Sequence, residues 1–225
     1  MKLPLVIINF KAYKEGSGER ALKLAKIIER VSKKYGVSFI VAPQFCDIRM
    51  IAIETSLPVI SQHIDPVESY GAFTGHIIPR NVKEAGAIGT LINHSERKLS
   101  LKEIEKCITI AKKLRLITFV CSPNLAESER IAKLGPDFLA YEDPSLIGSG
   151  RAISKVKPES VKNFVEKVLK INPKVVPLCG AGISSGEDVK LALKLGTKGV
   201  IIASAIVKKK DPEPLLVEIA KCVKD

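Results

Sequence analysis

Short apolar stretches alternate with segments of helical periodicity along the chain. Eight of these stretches are apolar nearly throughout and rich in β-branched residues: 4–9, 38–42, 58–62, 89–93, 117–121, 138–142, 175–179 and 200–203. Continuous apolar character, without a polar residue at every second position, is typical of strands buried on both faces of a parallel sheet. The pattern therefore predicts eight parallel strands.

The segments between the strands repeat apolar residues every three or four positions, which predicts amphipathic helices. In the fourth segment Ser100 and Glu103 have the spacing of a capping box, and Pro158 stands where the sixth helix begins. Gly36 and Gly196 stand where helices are expected to stop. One face of the first helix is predicted to contain Leu24, Ile27, Ile28 and Val31.

Eight strands, each followed by a helix, favour an α/β fold, namely a single (β/α)₈ barrel. Residues 1–225 are predicted to form it as one domain. A doubly wound open sheet is the alternative, and it usually has a glycine-rich turn after its first strand. Here Asn9-Phe10-Lys11 follows the first strand, and no G-x-G-x-x-G motif lies nearby. The strand count and this turn favour the barrel.

Composition narrows the class of protein further. The chain has 225 residues, a length typical of one barrel, and 46% of them are hydrophobic. It has no run of 18 apolar residues, and the apolar run near Met1 is too short for a signal peptide, so we expect a cytoplasmic protein without a membrane partner. The five cysteines are widely spaced, which predicts neither a disulfide framework nor a zinc site.

The formal net charge of +12 is spread along the amphipathic segments, and Lys208-Lys209-Lys210 is the one basic run. Nucleic-acid binding usually concentrates basic residues on one face or arm. We therefore expect a solvated surface and no nucleic-acid partner. A positive field of this kind would also attract an anionic substrate.

Polar residues, and small residues after the last two strands, cluster at the predicted carboxyl ends of the strands, which is where active sites of such barrels lie. In strand order they are Asn9 and Lys11; Gln62, His63 and Asp65; Asn93, His94, Ser95, Glu96 and Arg97; Glu142; Gly180, Ala181 and Gly182; and Ala203, Ser204 and Ala205. A carboxylate, an imidazole and an ammonium suit proton abstraction beside a carbonyl group, which needs no cofactor. Small residues after strands seven and eight suit phosphate binding, and no cluster has the spacing of a metal site.

Four motifs at these positions resemble the triosephosphate isomerase family. Asn9-Phe10-Lys11 resembles the family's N-x-K, and Asn93-His94-Ser95-Glu96-Arg97 matches its N-H-S-E-R. Tyr141-Glu142 with Leu146-Ile147-Gly148-Ser149-Gly150 resembles the segment that joins the family's catalytic base to its mobile lid. Gly71-Ala72-Phe73-Thr74-Gly75 is similar to the loop that the family inserts into a partner subunit.

The resemblance implies interconversion of dihydroxyacetone phosphate and glyceraldehyde 3-phosphate through an enediolate, in glycolysis and gluconeogenesis, without cofactor or metal. It implies that Glu142 is the base, that His94 is the electrophile and that Lys11 and Asn9 stabilise and position the substrate, with Glu96 supporting Lys11. The substrate-binding residues implied are Asn9, Phe10, Lys11, Ile147, Gly148, Gly182, Ala203 and Ser204. His63 and His76 are expected to be structural or solvated.

Three departures from the family's usual pattern resemble its archaeal branch. Cys179-Gly180-Ala181-Gly182 replaces the usual Y-G-G-S, so the tyrosine that would hold the closed lid and the phosphate-binding serine are both absent. Ala203-Ser204 replaces Gly-Gly, and Ser145 stands in place of the lid's tryptophan. This branch implies a homo-oligomer, with a tetramer favoured over a dimer.

Two alternatives compete with this interpretation. Another phosphate-binding barrel, such as an indole-glycerol-phosphate synthase or a phosphoribosyl isomerase, would have catalytic Lys and Glu or paired Asp residues at other strand ends; His94 and Glu142 argue against it. A non-catalytic basic barrel that binds nucleic acid or protein would need neither residue.

Overall fold

A computed structural model describes residues 2–224 and contains the predicted parallel barrel. The strands are β1 Leu5–Asn9, β2 Ser38–Ala42, β3 Ile60–Ser61, β4 Gly89–Ile92, β5 Ile117–Ser122, β6 Phe138–Tyr141, β7 Val176–Cys179 and β8 Gly199–Ile202. Each predicted stretch overlaps one of these strands. The third strand is the shortest, because Val59 makes only an isolated bridge to Val41.

The strands pair in the order β2-β1-β8-β7-β6-β5-β4-β3, and every pair is parallel. The Val41–Val59 bridge and a 3.0 Å hydrogen bond from the Val41 N–H to the Pro58 carbonyl join the two ends of this order. The sheet is therefore a nearly closed barrel, which confirms the predicted (β/α)₈ fold and excludes the open sheet. All carboxyl ends of the strands meet at one mouth.

Helices surround the barrel. They are α1 Glu19–Tyr35, α2 Ile48–Glu54, α3 Pro79–Glu84, α4 Leu101–Lys113, α5 Leu125–Leu134, α6 Ile153–Val156, α7 Pro158–Ile171, α8 Gly186–Lys194, α9 Ser204–Val207 and α10 Glu213–Lys224. The predicted capping box of Ser100 and Glu103 starts α4, Pro158 starts α7 and Gly36 caps α1 in the left-handed conformation. Among residues 2–224, no helix is both long and apolar enough to cross a membrane.

Both faces of the strands are buried, which explains why the strands lack polar alternation. Along β1, Leu5 and Ile7 belong to the apolar cluster inside the barrel, whereas Val6 and Ile8 pack against the helices. Phe119 and Phe138 stack inside the barrel with their ring centroids 4.6 Å apart. This packed interior leaves the mouth, where the strands end, as the place for a ligand.

Candidate active site

One cavity of about 230 Å³ opens at the mouth of the barrel. Its walls come from the segments that follow β1, β4, β6, β7 and β8. The lining residues are Asn9, Lys11, Tyr13, His94, Glu142, Ile147, Gly148, Gly150, Ala181, Gly182, Ile183, Ser184, Ile201, Ile202, Ala203, Ser204 and Ala205. Most of the residues predicted from the sequence thus share one site.

Glu142 follows β6 directly, and its carboxylate is buried without a full set of partners. The residue is 5% exposed, and its Oε2 atom accepts no hydrogen bond from residues 2–224. That oxygen lies 4.0 Å from Nε2 of His94. A buried polar atom without a partner is costly, and such atoms often mark functional sites. The arrangement leaves the carboxylate oxygen available to a substrate.

His94 is oriented by an unusual turn at the end of β4. Asn93 has a φ of 60°, and its side chain donates to the carbonyl of Cys121 at 2.9 Å and to Glu127 Oε1 at 2.8 Å. The Glu96 N–H donates to Nδ1 of His94 at 3.2 Å. Because Nδ1 accepts this bond, the proton of the neutral ring lies on Nε2, the atom nearer to Glu142. His94 can therefore donate a hydrogen bond where Glu142 can accept a proton.

Lys11 also occupies a constrained turn. Its φ is 49°, its N–H donates to Oδ1 of Asn9 at 3.0 Å, and its carbonyl accepts from Nε2 of Gln62 at 3.0 Å. Within residues 2–224 its ammonium group makes no ion pair at 4.0 Å or less, so the expected support from Glu96 is not present as a salt bridge. The lysine charge in this cavity is therefore available to an anionic ligand.

The strand-seven and strand-eight side of the cavity is made of small residues and exposed backbone. Ala181 and Gly182 both have left-handed conformations, with φ values of 68° and 71°. A Cβ atom on Gly182 would lie 2.0 Å from the Arg151 carbonyl oxygen, so only glycine fits there. Among residues 2–224, no protein acceptor takes the N–H of Gly148 or Gly182. These amides suit an anion.

Gly180 supports the carboxylate from below. A Cβ atom at this position would lie 2.6 Å from both Cγ and Oε1 of Glu142. The absence of a side chain on Gly180 therefore leaves room for the Glu142 side chain. Its predicted role in the turn after strand seven thus has a steric component that the sequence did not reveal.

Phe10 is the predicted binding residue that the structure does not bring to the cavity. It is fully buried and packs in the apolar layer between barrel and helices. The lining residues not singled out from the sequence include Tyr13, Ile183 and Ser184. Of these, Tyr13 had the strongest available signal, since it lies two positions beyond Lys11; Nζ of Lys208 sits 4.7 Å from the centroid of its ring.

Two buried cysteines lie close to Glu142. Burial raises the pKa of the Cys121 thiol, and the Glu142 charge and a hydrogen bond to that carboxylate raise it further. Burial and the same charge raise the pKa of Cys179. Because thiolates are the nucleophilic form of cysteine, neither residue suits a nucleophilic role at neutral pH.

A second, larger cavity of about 610 Å³ continues from the first toward the ends of β3 and β4. It shares Asn9, Lys11, Tyr13 and His94 with the first cavity and adds, among others, Gln62, His63, Glu96 and Arg97. The exposed segment 68–76 lies beside it, with Tyr70 and Phe73 53% and 47% exposed. Contiguous exposed apolar patches, and not single exposed side chains, mark interaction sites.

His63 belongs to a separate polar cluster beside that cavity. Its Nε2 lies 3.1 Å from Oδ1 of Asp65, whose Oδ2 accepts the Ile77 N–H at 2.6 Å. Burial lowers the pKa of His63, although the hydrogen bond and charge of Asp65 partly oppose this shift. Nη2 of Arg97 lies 3.6 Å from Oδ1 of Asp65, the oxygen that also contacts His63. These contacts match the structural role expected for His63.

The profile of one protein family matches nearly all of the chain. It is the triosephosphate isomerase family, and the match covers residues 4–223. This chain belongs to that family.

Individual relatives agree with this assignment. The triosephosphate isomerase of Methanothermus fervidus is 50% identical over 219 residues, which cover 97% of this chain and 98% of that protein. The enzymes of the same name from Methanobacterium bryantii and Pyrobaculum calidifontis are 51% and 48% identical, covering 96% and 98% of this chain and 95% and 96% of their own lengths. These relatives are archaeal, which confirms the resemblance to the archaeal branch.

Proposed function

We propose that this chain interconverts dihydroxyacetone phosphate and D-glyceraldehyde 3-phosphate. One observation carries the proposal: the free Oε2 of Glu142 lies 4.0 Å from Nε2 of His94, inside a cavity that also contains Lys11. Family membership and near-complete coverage of relatives named triosephosphate isomerase support the same reaction.

The reaction moves one proton between neighbouring carbons and needs no redox partner. Glu142 removes a proton from C1 of dihydroxyacetone phosphate, and the C–H electrons form the carbon–carbon double bond while the carbonyl electrons move to oxygen. His94 passes its Nε2 proton to that C2 oxygen and takes the hydroxyl proton from the C1 oxygen. Protonated Glu142 then returns its proton to C2, and the electrons left on the C1 oxygen form the aldehyde carbonyl. A glutamate base with a neutral histidine is already the known arrangement of triosephosphate isomerases, so these roles follow the family.

Lys11 stabilises the negative charge of the enediolate, and Asn9 holds the Lys11 turn through its hydrogen bond to the Lys11 N–H. On the opposite wall, Gly148 and Gly182 offer free amides to the phosphate, beside Ile147, Ala203 and Ser204. Phe10 can contribute only through its backbone, because its side chain is in the core. No cofactor takes part in any step.

The segment 143–152, called the lid below, follows Glu142, and its residues Ile147, Gly148 and Gly150 line the same cavity. We propose that it keeps water from the base. An enediolate that reaches water eliminates phosphate, so exclusion of water protects the intermediate. Gly148 and Gly150 have φ values of 73° and 70°, and Pro144 opens a short 3₁₀ turn at Pro144–Leu146. Flexible and stiff ends therefore lie on opposite sides of Ile147.

We propose that the protein is a single-domain cytoplasmic enzyme of glycolysis and gluconeogenesis. We also propose that it forms a homo-oligomer, with a tetramer favoured over a dimer. The larger cavity supports oligomer formation, because it could receive the exposed loop around Phe73 of a second copy. Neither a nucleic acid nor a membrane is proposed as a partner.

The test is turnover of glyceraldehyde 3-phosphate, coupled to reduction of the dihydroxyacetone phosphate formed. Glu142→Asp withdraws the carboxylate by about 1 Å and is expected to cost on the order of 10²-fold in kcat. Glu166→Asp, an exposed position on α7, is the matched control and should leave kcat unchanged.

Three outcomes separate the alternatives. Fast turnover by the wild type and a much lower kcat for Glu142→Asp would support both the isomerase reaction and Glu142 as its base. An inactive wild type contradicts the isomerase and favours another phosphate barrel or a non-catalytic basic barrel, which salt-sensitive DNA binding would identify. Equal activity in both proteins keeps the reaction and removes Glu142 as its base.

A further inference from the structure

The first residue of the lid, Asp143, makes polar contacts on two sides. Its Oδ1 accepts hydrogen bonds from the N–H and the Oγ of Ser145, at 2.9 and 2.7 Å. Its Oδ2 accepts from Nζ of Lys157 at 2.5 Å. The Asp143 side chain is only 13% exposed, whereas that of Lys157 is 43% exposed. The carboxylate is therefore held by Ser145, two residues away in the sequence, and by Lys157, 14 residues away.

Lys157 lies beyond the other end of the lid. It is the residue between α6 and α7, and Pro158 follows it as the first residue of α7. The ion pair thus joins two positions 14 residues apart, one immediately before the lid's 3₁₀ turn and one after α6. Both ends of the segment that covers the cavity are connected through these two side chains.

The lid's other anchor is made by backbone. The Ile153 N–H donates to the Ala181 carbonyl at 3.2 Å, and the Arg151 carbonyl packs against Gly182. Strand seven ends in Cys179, which is fully buried and has no hydroxyl to hold the lid. No side chain of strand seven therefore replaces the contacts that Asp143 makes at the start of the lid.

We propose that Asp143 and Lys157 brace the two ends of the lid and that Asp143 is a positioning residue for Glu142 and for lid closure. Asp143 adjoins Glu142 in the chain, so a shift of its backbone moves the base. A displacement of about 1 Å is enough to cost on the order of 10²-fold in rate. This inference rests on the proposed isomerase function.

The charge state of the pair fits a permanent brace. The hydrogen bond from Lys157 is the main cause that lowers the pKa of Asp143, and the same contact raises the pKa of Lys157. A lowered carboxyl pKa keeps the aspartate charged at every pH above its ordinary value, and a raised lysine pKa extends the charged range upward. Both partners are therefore charged throughout the neutral range.

The first experiment measures partitioning of the enediolate. Elimination breaks the bond between carbon and the phosphate oxygen, releases inorganic phosphate and leaves an enol that tautomerises to 2-oxopropanal. The ratio of phosphate released to triose isomerised reports how well the lid holds the intermediate. A contact that affects only global stability does not change this ratio, because each turnover comes from folded enzyme.

The variants separate the charge from the local hydrogen bonds. Asp143→Asn keeps an oxygen for Ser145 but loses the charge, and Lys157→Gln removes the other partner. Each should raise the elimination ratio about fivefold, the upper range for a partly exposed ion pair. The double variant should do no more than either single one, and Lys157→Arg should restore most of the wild-type ratio.

Arg30→Gln is the control, because Arg30 forms an ion pair with Glu213 between α1 and α10, at side-chain exposures of 58% and 42%. It should leave the ratio unchanged. An unchanged ratio in both Asp143→Asn and Lys157→Gln would overturn the positioning role, whatever their melting temperatures.

The second experiment does not depend on turnover. Hydrogen exchange of the amides of residues 145–150 is compared between wild type and Asp143→Asn without substrate. The brace predicts faster exchange in this segment of the variant and no change in α1. Equal exchange rates would contradict the brace even if the wild type proved not to be an isomerase, so failure of the two proposals can be told apart. Faster exchange with an unchanged elimination ratio would reduce the pair to a structural contact.

Discussion

The two halves of the barrel mouth are built on different principles. The half formed by the ends of β1, β4 and β6 presents long polar side chains, Lys11, His94 and Glu142. The half formed by the ends of β7 and β8 presents backbone and small residues between Gly180 and Gly182 and between Ala203 and Ala205. In the proposed reaction, the identity of the side chain decides the chemistry on the first half. On the second, space and backbone conformation do.

This difference explains where the chain departs from its family's usual pattern. The polar half keeps the residues of the family's motifs, because the base, electrophile and cation proposed there have few chemical substitutes. The backbone half differs from the family's usual pattern at several positions, because the amides proposed to bind phosphate belong to the backbone and not to a particular side chain. Ala181 at a φ of 68° is an example of a residue tolerated in a conformation that favours glycine.

Gly180→Ala tests whether the backbone half also controls the polar half. The added Cβ would lie 2.6 Å from the Glu142 side chain, which must move because its carboxylate end is the flexible partner. We expect kcat to fall on the order of 10²-fold. Gly36→Ala, at a capping position with open space, is the control and should lower stability without lowering kcat. Unchanged kcat in Gly180→Ala would show that the base tolerates displacement.

Gly182→Ala tests the proposed phosphate site, to which Gly148 and Gly182 offer their backbone amides. A Cβ would meet the Arg151 carbonyl at 2.0 Å in a left-handed backbone, so the lid's far end must shift away from the strand-seven turn. We expect KM for the phosphorylated substrate to rise about tenfold, the effect of losing one charge-assisted hydrogen bond. The neighbouring Ala181→Gly relieves an unfavourable φ and should leave KM within twofold. Equal KM in wild type and Gly182→Ala would place the phosphate elsewhere.

Ser204→Ala should have a smaller effect on steady-state kinetics. If backbone amides bind the phosphate, removing this hydroxyl at the first residue of α9 should change KM less than about threefold. A loss of tenfold or more would mean that the Ser204 hydroxyl binds the phosphate and takes the place of the missing serine after strand seven.

His63→Gln sharpens the distinction between the two buried histidines at the barrel mouth, His63 and His94. Burial lowers the pKa of His63 in the folded state below its ordinary value of 6.5. The unfolded chain therefore takes up this proton first, and stability should fall as the pH drops below about 6.5. We expect the melting temperature of the wild type to drop more between pH 7 and pH 5 than that of His63→Gln, while kcat at pH 7 changes little. An equal drop in melting temperature in both proteins would show that protonation of His63 does not cause the loss of stability at low pH.

Much of this architecture could be predicted from the sequence, for physical reasons that differ between regions. Strands buried on both faces lack polar alternation, so their number and parallel arrangement were predictable. Ser100, Pro158 and Gly36 carry local conformational preferences and marked helix ends correctly. The third strand was predicted too long, because its pairing beyond Ile60–Ser61 depends on barrel closure.

The site was predictable where residue type decides function, and less so where packing does. Phe10 shares a motif with Asn9 and Lys11, yet strand alternation turns its side chain into the core. The steric role of Gly180 depends on the rotamer of Glu142, which no local pattern encodes. The Asp143–Lys157 contact joins residues that only the folded lid brings together.

The most direct test of the central claim is proton exchange at the substrate carbon. Wild type and Glu142→Gln are incubated with dihydroxyacetone phosphate in D₂O, and deuterium at the carbon-bound positions of both trioses is measured by NMR. If Glu142 shuttles the proton, the wild type incorporates deuterium as it isomerises, and the variant loses exchange and isomerisation together, on the order of 10³-fold or more. Exchange at the wild-type rate in Glu142→Gln would contradict the account and require another base.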